Sequence, residues 1–278
     1  MLRKPQRERG FLLLLAVLYP VYVWGLYFLW YSNSPLSSFH LFNDFSEWLQ
    51  MDKIGHFVVN FHSVLIPALV FSWAGFSPKK SAMYAFWLSF ISLVPVEIMD
   101  GFSAAWGFSL GDMVANTAGS LFAYWQLRGF NKIIILPKFS YHVSDVSYAL
   151  LRPDMFGSNY LQNSLKDYNG QTYWLTLDIN ALLGKKILPS WLLVSIGYSG
   201  EGMYGGEDNI WTDKTGVTHD YSHFARYRQF YLSLDFNFAP LIKNKLLQRI
   251  LYPLNIFKVP FPAVEFSEMG LKWHWLYV

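Results

Sequence analysis

The sequence contains no cysteine and few charged residues. Asp, Glu, Lys and Arg make up 15 % of its 278 residues, whereas a soluble domain carries about 25 %. Without cysteine a disulfide scaffold is excluded, and we expect no lipid-anchored lipoprotein, because that anchor is attached to a cysteine. The net charge of +3 gives no reason to expect nucleic acid as a partner.

Two common enzyme motifs are also missing. The sequence has no P-loop and no His-Glu-x-x-His, which argues against the P-loop nucleotide-binding and zinc-protease classes. Hydrophobic residues, by contrast, make up 53 % of the chain and aromatic residues 19 %. This composition excludes a disordered chain and favours a membrane or membrane-bound protein of one or two domains.

Four hydrophobic segments in the first half predict helices. Residues 11–31 are 21 positions without a charge, enough to span a bilayer of about 30 Å, and residues 54–76 also lack Asp, Glu, Lys and Arg. Residues 81–96 and 113–127 are shorter and would cover about 22–24 Å as helices. These two segments therefore span a thin membrane, extend into their flanks, or pack as buried core helices.

Flanking charges bear on the orientation of these helices. The first segment follows four basic residues, as a signal peptide would, but it is longer than a usual signal-peptide core and lacks a small-x-small cleavage site. We therefore expect an uncleaved anchor. Basic residues at 79–80 and 128–138 predict cytoplasmic connections, with the acidic connections on the opposite side. This places residues 129–278 in the cytoplasm, unless the first segment is cleaved and the protein is exported.

Polar residues gather at one end of the predicted bundle. Asp52, His56 and Asn60 are spaced four residues apart and share one helix face. Carboxylates and imidazole this close to hydrocarbon are costly unless paired, which makes the cluster a candidate functional site. Two further pairs lie at helix ends that the predicted topology brings to the same side: Glu97 with Asp100, and Asp112 with Asn116.

Three roles for this cluster stay open. A histidine with several carboxylates can bind a divalent metal ion, or a carboxylate can orient His56 as a general base while a second carboxyl acts as acid. Alternatively, Asp52 and Asp112 cap the helices that they begin, and the other residues hold the helices together. The sequence identifies neither a metal nor another cofactor. The hypothetical catalytic residues are His56, Asp52, Glu97 and Asp112, and the hypothetical binding residues are Lys53, Asn60, Asp100 and Asn116.

The same residues carry a resemblance to known families. The patterns Asp52-Lys53-x-x-His56-Phe57 and Asp112-x-x-x-Asn116-x-x-Gly119, with Glu97 at the end of the helix between them, resemble the VanZ-like membrane family. A longer set over about residues 35–180 is more similar to the uncharacterised bacterial family that includes the YfiM lipoprotein. Its motifs are Ser38-Phe39-His40, Phe42-Asn43-Asp44, Glu47-Trp48-Leu49-Gln50-Met51-Asp52-Lys53-x-Gly55-His56, Asp100-Gly101-Phe102-Ser103 and Trp106-Gly107-Phe108-Ser109-x-Gly111-Asp112.

This resemblance implies a location but no reaction. The run from Leu165 to Leu175 resembles the longer Bacteroidota members of the family. The family implies a membrane protein of the bacterial cell envelope with no established catalytic residues, and the VanZ-like link to glycopeptide resistance implies envelope handling. The chain departs from the YfiM pattern because it has no cysteine to carry a lipid. The resemblance therefore does not imply that this chain is a lipoprotein of the outer membrane, and the choice between inner and outer membrane stays open.

After Pro137 the apolar period changes from helical to alternating. Alternation predicts strands at 173–180, 191–199, 230–237 and 271–277, and a fifth near 139–148. Alternating aromatics opposite a polar face are typical of outer-membrane strands, but the smallest such barrel needs about eight strands. An open sheet cannot present its edges to lipid. We therefore expect a sheet that is extramembranous, covered by helices, or completed by a partner chain.

Two other segments of the second half have alternative interpretations. Residues 243–257 form a short basic amphipathic stretch, which either lies on a membrane surface or covers the sheet edge as a solvated helix. The connection 200–228 is rich in glycine and carboxylates. It is either an exposed loop or a calcium or substrate loop, although it lacks EF-hand spacing.

Together these patterns predict an α+β membrane protein, with a bundle of about four hydrophobic helices followed by an antiparallel sheet of four to five strands. We expect an anchor helix at 1–34, a helical domain with the polar cluster at 35–130 and an aromatic-rich sheet domain at 131–278. The predicted function is an accessory or binding component that handles a lipid-linked or amphipathic envelope ligand. The alternatives are a membrane enzyme acting on a lipid or glycan head group, and a structural subunit of an outer-membrane complex. Membrane lipid and an envelope protein complex are the expected partners.

Overall fold

The computed structural model describes residues 4–32, 35–104, 106–144, 150–213, 215–244, 247–248 and 251–278. The chain forms two compact units: a helical unit, Met1–Phe45 with Val59–Ile133, and a sheet unit, Ser46–Val58 with Ile134–Val278. The predicted α+β class with an antiparallel sheet is confirmed. The boundaries expected at residues 34 and 130 stay a prediction.

Long helices make up most of the helical unit. They are α1 (Lys4–Leu26, continued by a π-helical turn at Tyr27–Tyr31), α2 (Met51–Trp73), α3 (Pro78–Gly101) and α4 (Leu110–Phe130). Helix α2 begins in the sheet unit and continues into the helical unit at Val59. Two short strands, β1 (Leu41–Phe42) and β2 (Phe108–Ser109), pair in parallel within the helical unit.

Helices α3 and α4 are longer than their hydrophobic segments, with 24 and 21 residues. The shorter predicted segments therefore extend into their flanks. Ser77 begins α3 by accepting a hydrogen bond from the main-chain N–H of Lys80, and Pro78 follows at the first helical position, where its missing N–H costs nothing. Among the described residues, three helical stretches are long and apolar enough to cross a membrane: Glu8–Leu26, Glu47–Trp73 and Pro78–Gly101.

A six-stranded antiparallel sheet forms the centre of the sheet unit, with the strand order β10-β9-β8-β5-β4-β3. Its strands are β3 (Ile135–Tyr141), β4 (Gln171–Leu177), β5 (Leu192–Glu201), β8 (Tyr227–Phe236), β9 (Phe261–Ser267) and β10 (Gly270–Tyr277). A separate hairpin pairs β6 (Ile210–Thr212) with β7 (Thr218–Asp220). Short helices α5 (Pro153–Phe156), α6 (Tyr160–Lys166) and α7 (Ile179–Leu183) lie in the connections around β4.

The alternating segments predicted as strands form β4, β5, β8 and β10, so these four strands are confirmed. In β10 a register shift between His274 and Tyr277 breaks the predicted alternation and places Tyr277 on the buried face. Strand β9 is a sixth strand without a predicted counterpart, because Pro262 interrupts a short alternation. The strand expected near 139–148 begins earlier, at Ile135, and its residues 145–148 lie outside the described residues. Strand β4 ends earlier than expected because Asp178 caps helix α7.

The two faces of the sheet have opposite polarity. Two rows of small and polar side chains run in register across the buried face: Thr172, Ser199, Gln229 and Ser267, and Thr176, Ser195, Ser233 and Ala263. Between these rows lies Trp174. Its neighbour Gly197 leaves room for it, since a Cβ at Gly197 would lie 2.7 Å from the indole ring. The other face carries apolar side chains, so the sheet buries its polar side.

The sheet curls, and strands that are not neighbours meet. The Tyr277 hydroxyl on β10 lies 3.0 Å from Thr172 Oγ1 on β4. Lys258, which leads into β9, donates its main-chain N–H to the Phe139 carbonyl on β3 at 2.9 Å. Trp174, Tyr231, Ala263 and Tyr277 pack together inside the curl.

The two ambiguous segments of the second half are described in part. Within 243–257, a 3₁₀ turn covers Tyr252–Ile256, and residues 245–246 and 249–250 lie outside the described residues. The connection 200–228 is organised by the buried side chain of Asn209, which accepts from the Tyr204 N–H at 2.9 Å and donates to the carbonyls of Gly202 and Phe224 at 2.8 and 3.0 Å. This connection is therefore a folded element with its own hydrogen-bonded centre.

Candidate functional site

A left-handed turn comes directly before the predicted polar cluster. Trp48, Leu49 and Gln50 have φ angles of 52°, 51° and 65°, a conformation that costs a residue with a Cβ about 1–2 kcal/mol. Hydrogen bonds from the sheet unit offset this strain and fix the start of α2. The Trp48 N–H donates to the Gly206 carbonyl at 2.7 Å, the Tyr198 hydroxyl donates to the Leu49 carbonyl, and the Arg228 guanidinium donates to Gln50 Oε1 at 2.6 Å.

The first turns of α2 pack closely on strand β4. Gly55 allows this approach, because a Cβ there would lie 2.6 Å from the Tyr173 hydroxyl oxygen. That hydroxyl donates to Gln171 Oε1 at 2.7 Å. Burial raises the pKa of Tyr173 far above its usual range, and the Asp52 carboxylate adds to the rise. The residues buried around this contact are Trp48, Met51, Val58, Phe156, Tyr173, Met203 and Tyr204.

Asp52 is the centre of the site in the sheet unit. Its Oδ2 accepts a hydrogen bond from the Lys53 ammonium at 2.8 Å, and its Oδ1 accepts one from the Tyr168 hydroxyl at 2.6 Å. His56 Nε2 lies 3.7 Å from the same Oδ1, one helical turn away. We call Asp52, Lys53, His56 and Tyr168 the Asp52 cluster.

The members of the Asp52 cluster differ in their access to solvent. The Lys53 side chain is 8 % exposed and that of Asp52 20 %, whereas the His56 imidazole is 34 % exposed. A charged lysine this deeply buried needs a counter-charge, which Asp52 provides. Of these three residues His56 is therefore the most accessible, and Asp52 is the group that contacts the other members of the cluster.

Two candidate metal ligands are neighbours in the sheet unit. Asp52 and His56 offer a carboxylate oxygen and an imidazole nitrogen, which suit a divalent ion of intermediate hardness. Most protein zinc sites use at least three protein ligands. The other candidate carboxylates of the metal-binding hypothesis, Glu97 and Asp112, belong to the helical unit.

Three of the other predicted residues form a buried network in the helical unit. Asn60, Glu97 and Asn116 are each at most 3 % exposed. The Asn60 amide donates to Asn116 Oδ1, and the Asn116 amide donates to Glu97 Oε1 at 3.2 Å. Hydroxyl groups of Ser89 and Ser120, 3.1 Å apart, lie in the same core. The three residues link α2, α3 and α4, which supports their structural interpretation.

Asp100 and Asp112 have helix-end roles in the helical unit. Asp100 Oδ1 accepts a hydrogen bond from the Tyr31 hydroxyl at 2.7 Å, which ties the end of α3 to the turn after α1. Ser109 caps α4 by accepting from the Asp112 main-chain N–H at 3.0 Å, and its own hydroxyl donates to Asp44 at 2.6 Å. A carboxylate in the first turn of a helix is also favoured by the helix dipole.

Tyr168 is the member of the Asp52 cluster that sequence reasoning missed. It lies 116 residues after Asp52 in the chain, in a 3₁₀ turn just before β4. Its signal is weak, because one tyrosine in an aromatic-rich chain does not stand out. The turn itself is set by Asp167, whose carboxylate accepts from the N–H and the amide of Asn169 at 3.1 Å each. Burial raises the pKa of Asp167, while hydrogen bonds from Ser144 and Asn169 oppose the rise.

Comparison with known families gives one match. The model of a family described as a predicted periplasmic lipoprotein (DUF2279) matches residues 41–128, which is less than half of the chain. The match covers α2, α3 and most of α4, and it includes all eight predicted site residues. No curated protein and no solved structure gives a significant match.

The matched family belongs to the bacterial cell envelope, in agreement with the location expected from composition and resemblance. The 278 residues contain no cysteine, so the lipid in that family's description has no attachment residue in them. The resemblance to VanZ-like and YfiM proteins stays a prediction. The match is consistent with a location in the cell envelope and indicates neither a reaction nor a ligand.

Proposed function

We propose that the chain is a membrane protein of the cell envelope that binds the polar head of a lipid-linked or amphipathic ligand at the Asp52 cluster. The observation that carries this proposal is the Asp52 carboxylate, held by Lys53 and Tyr168 at the start of a predominantly apolar helix. Polar groups fixed at the end of an apolar helix are suited to the boundary between head groups and hydrocarbon. The envelope family match supports the compartment.

The geometry favours binding over general-base catalysis. A carboxylate that orients a catalytic histidine lies about 2.6–3.2 Å from its ring nitrogen, whereas Asp52 and His56 are 3.7 Å apart. Both oxygens of Asp52 already accept hydrogen bonds from Lys53 and Tyr168. Asp52 thus serves first as the anchor of the cluster, and the more exposed His56 imidazole offers a hydrogen bond to a phosphate or sugar hydroxyl.

Native mass spectrometry of the full-length protein in detergent tests this proposal. The probes are phosphatidylglycerol and a polyprenyl phosphate, titrated against wild type, His56→Gln and Asp52→Asn. We expect the apparent Kd for at least one probe to rise about tenfold in each variant, which corresponds to about 1.4 kcal/mol. The matched control is His219→Gln, because the His219 side chain is also 34 % exposed and pairs with a carboxylate, Asp213, in the same unit.

The outcomes separate the alternatives. Equal binding by His56→Gln, His219→Gln and wild type contradicts the proposal. A probe that loses its head group during incubation with wild type, but not with His56→Gln, supports the enzyme alternative. A thermal melt of each variant guards against misfolding, since a variant that has lost its melting transition carries no information about the ligand.

A further inference from the structure

The outward face of the six-stranded sheet is uniformly apolar. We define the outer sheet face as the outward side chains of β4, β5, β8, β9 and β10. One row across it is Leu175, Ile196, Leu232, Val264 and Trp273, and the next is Tyr198, Phe230, Phe266 and Leu271. The β4 member of the second row, Tyr173, is buried under the start of α2 and is not part of the outer sheet face. A third, shorter row is Leu177, Val194 and Leu234. These three rows contain no charged residue.

Much of this face is exposed. Ile196, Leu232 and Phe230 are each about half exposed, at 53, 49 and 50 %. If each aromatic side chain has a surface of about 200 Å², the exposed parts of the aromatic side chains on this face and of the adjacent Trp275 add up to roughly 450 Å². The largest apolar patch on a monomer in water is about 300–600 Å². With the aliphatic side chains added, the outer sheet face exceeds what a water-exposed surface normally carries.

Apart from Arg228 at the end of β8, the charged side chains of the sheet strands lie on the opposite face. Asp235 and Glu265 are 0 and 2 % exposed, and Lys138 is 1 % exposed. An antiparallel sheet beside water normally turns its apolar side inward and its polar side outward. This sheet does the reverse, which is the arrangement of sheets that contact lipid, with polar residues inside and apolar residues outside.

We propose that the outer sheet face contacts the acyl chains of a lipid bilayer. The charge distribution selects this occupant over a protein. A non-obligate protein interface is only about 56–58 % non-polar, with a polar rim and hydrogen bonds across it, whereas three consecutive rows here offer no charge. The first outward charge on β8 is Arg228, at the end of the strand, where it binds Gln50.

The length of the apolar rows and the unpaired edge of the sheet limit how deeply the sheet can enter the bilayer. The exposed apolar rows extend from Phe230 to Leu234 on β8, about 14 Å at 3.4 Å per residue, or half of a 30 Å hydrocarbon core. Among the described residues, β10 is an end strand of the sheet order, and unpaired edge groups cannot lie in hydrocarbon. Trp273 and Trp275 on this strand suit the head-group level. The face therefore contacts a single leaflet.

Site-directed spin labelling tests this contact directly. Because the sequence has no cysteine, single cysteines at Ile196 and Leu232 can each be labelled with a nitroxide in the otherwise unchanged full-length protein. The protein is reconstituted in vesicles of phosphatidylethanolamine and phosphatidylglycerol. Collision rates with oxygen, which concentrates in hydrocarbon, are compared with those of a water-soluble nickel complex. The controls are Ser233, the inward neighbour of Leu232, and Val217, an exposed apolar residue in the β6–β7 turn.

For Ile196 and Leu232 we expect the ratio of oxygen to nickel collisions to exceed one, and for Val217 to fall below one. Ser233 should collide little with either reagent. Low rates for both reagents at Ile196 and Leu232 would mean that another protein chain covers the face, and a high nickel rate would mean that water does. Either result overturns the proposal. A label at Phe230 or Leu234 replaces any position where labelling prevents folding, as judged by circular dichroism.

Discussion

A buried ion pair inside the sheet provides the sharpest test of its inverted polarity. The Lys138 ammonium lies 2.7 Å from Asp235 Oδ2, and both side chains are at most 2 % exposed. Asp235 also accepts from the main-chain N–H of Phe236 at 2.7 Å and from Thr176 at 3.2 Å. Replacing Asp235 with Asn keeps the shape but leaves Lys138 buried without a counter-charge.

The expected magnitude follows from burial. Breaking a fully buried pair by removing one partner costs about 3–5 kcal/mol, whereas replacing both partners by apolar residues is often neutral or stabilising. We therefore expect Asp235→Asn to lower the melting temperature by about 6–20 °C, taking 2–4 °C per kcal/mol for a unit of this size. The double variant Lys138→Met with Asp235→Leu should recover most of this loss.

Thermal melts of the detergent-purified full chain, followed by circular dichroism of the β signal, provide the measurement. They are best made at pH 9 as well as pH 7, because burial lowers the pKa of the neighbouring Lys258 to about 8 and a second buried cation would otherwise complicate the double variant. A loss below about 1 kcal/mol for Asp235→Asn, the size of an exposed pair, would refute the reasoning. So would a double variant as unstable as the single one.

Two further predictions concern the same unit. Gly55→Ala should cost about 1–3 kcal/mol of unfolding free energy, because its Cβ would lie 2.6 Å from the Tyr173 hydroxyl. Gly129→Ala, a helical control with nothing within 4 Å, should stabilise by about 0.5–1 kcal/mol; similar effects in both chemical-unfolding curves would contradict the close contact. The lowered pKa of Lys258, about 8, means that between pH 8 and its ordinary pKa the unfolded chain binds more protons. Stability should therefore rise by about 2 kcal/mol from pH 7 to 9.5. Lys258→Met should flatten that rise, and an unchanged slope in the variant would show that another group causes it.

The sequence indicated the elements well because their periods are strong. Alternation over β8 is uninterrupted, that over β10 holds from Leu271 to Trp275, and the uncharged run of α2 is long, so the residue patterns alone suffice to locate these three elements. The failures have local causes. Pro262 hides β9, and the capping side chain of Asp178 ends β4 earlier than its alternation suggests. Such events depend on single side chains rather than on a repeating pattern.

The candidate site was harder to predict than the fold, because contacts distant in sequence define it. Spacing along one helix face correctly joins Asp52 with His56, and it also joins Asn60 to the same stripe. Asn60 instead takes part in the buried network with Asn116 in the helical unit. Tyr168 reaches Asp52 from 116 residues away. The periodicity of a helix or a strand does not predict a contact between residues so distant in the sequence.

The helical unit has the same inverted polarity as the sheet, and this agreement supports a membrane location for the chain. Its most buried polar residues include Asn60 at 1 % and Asn116 at 2 % exposure, while Val59, Trp87 and Val114 are exposed at 58, 53 and 66 %. A helix in water normally shows the opposite arrangement. The two units are built from different secondary structure, so a shared helical or strand pattern does not explain why both turn polar groups inward. The hydrocarbon environment that we propose for the chain would explain it, because such an environment favours apolar side chains outside and paired polar groups inside.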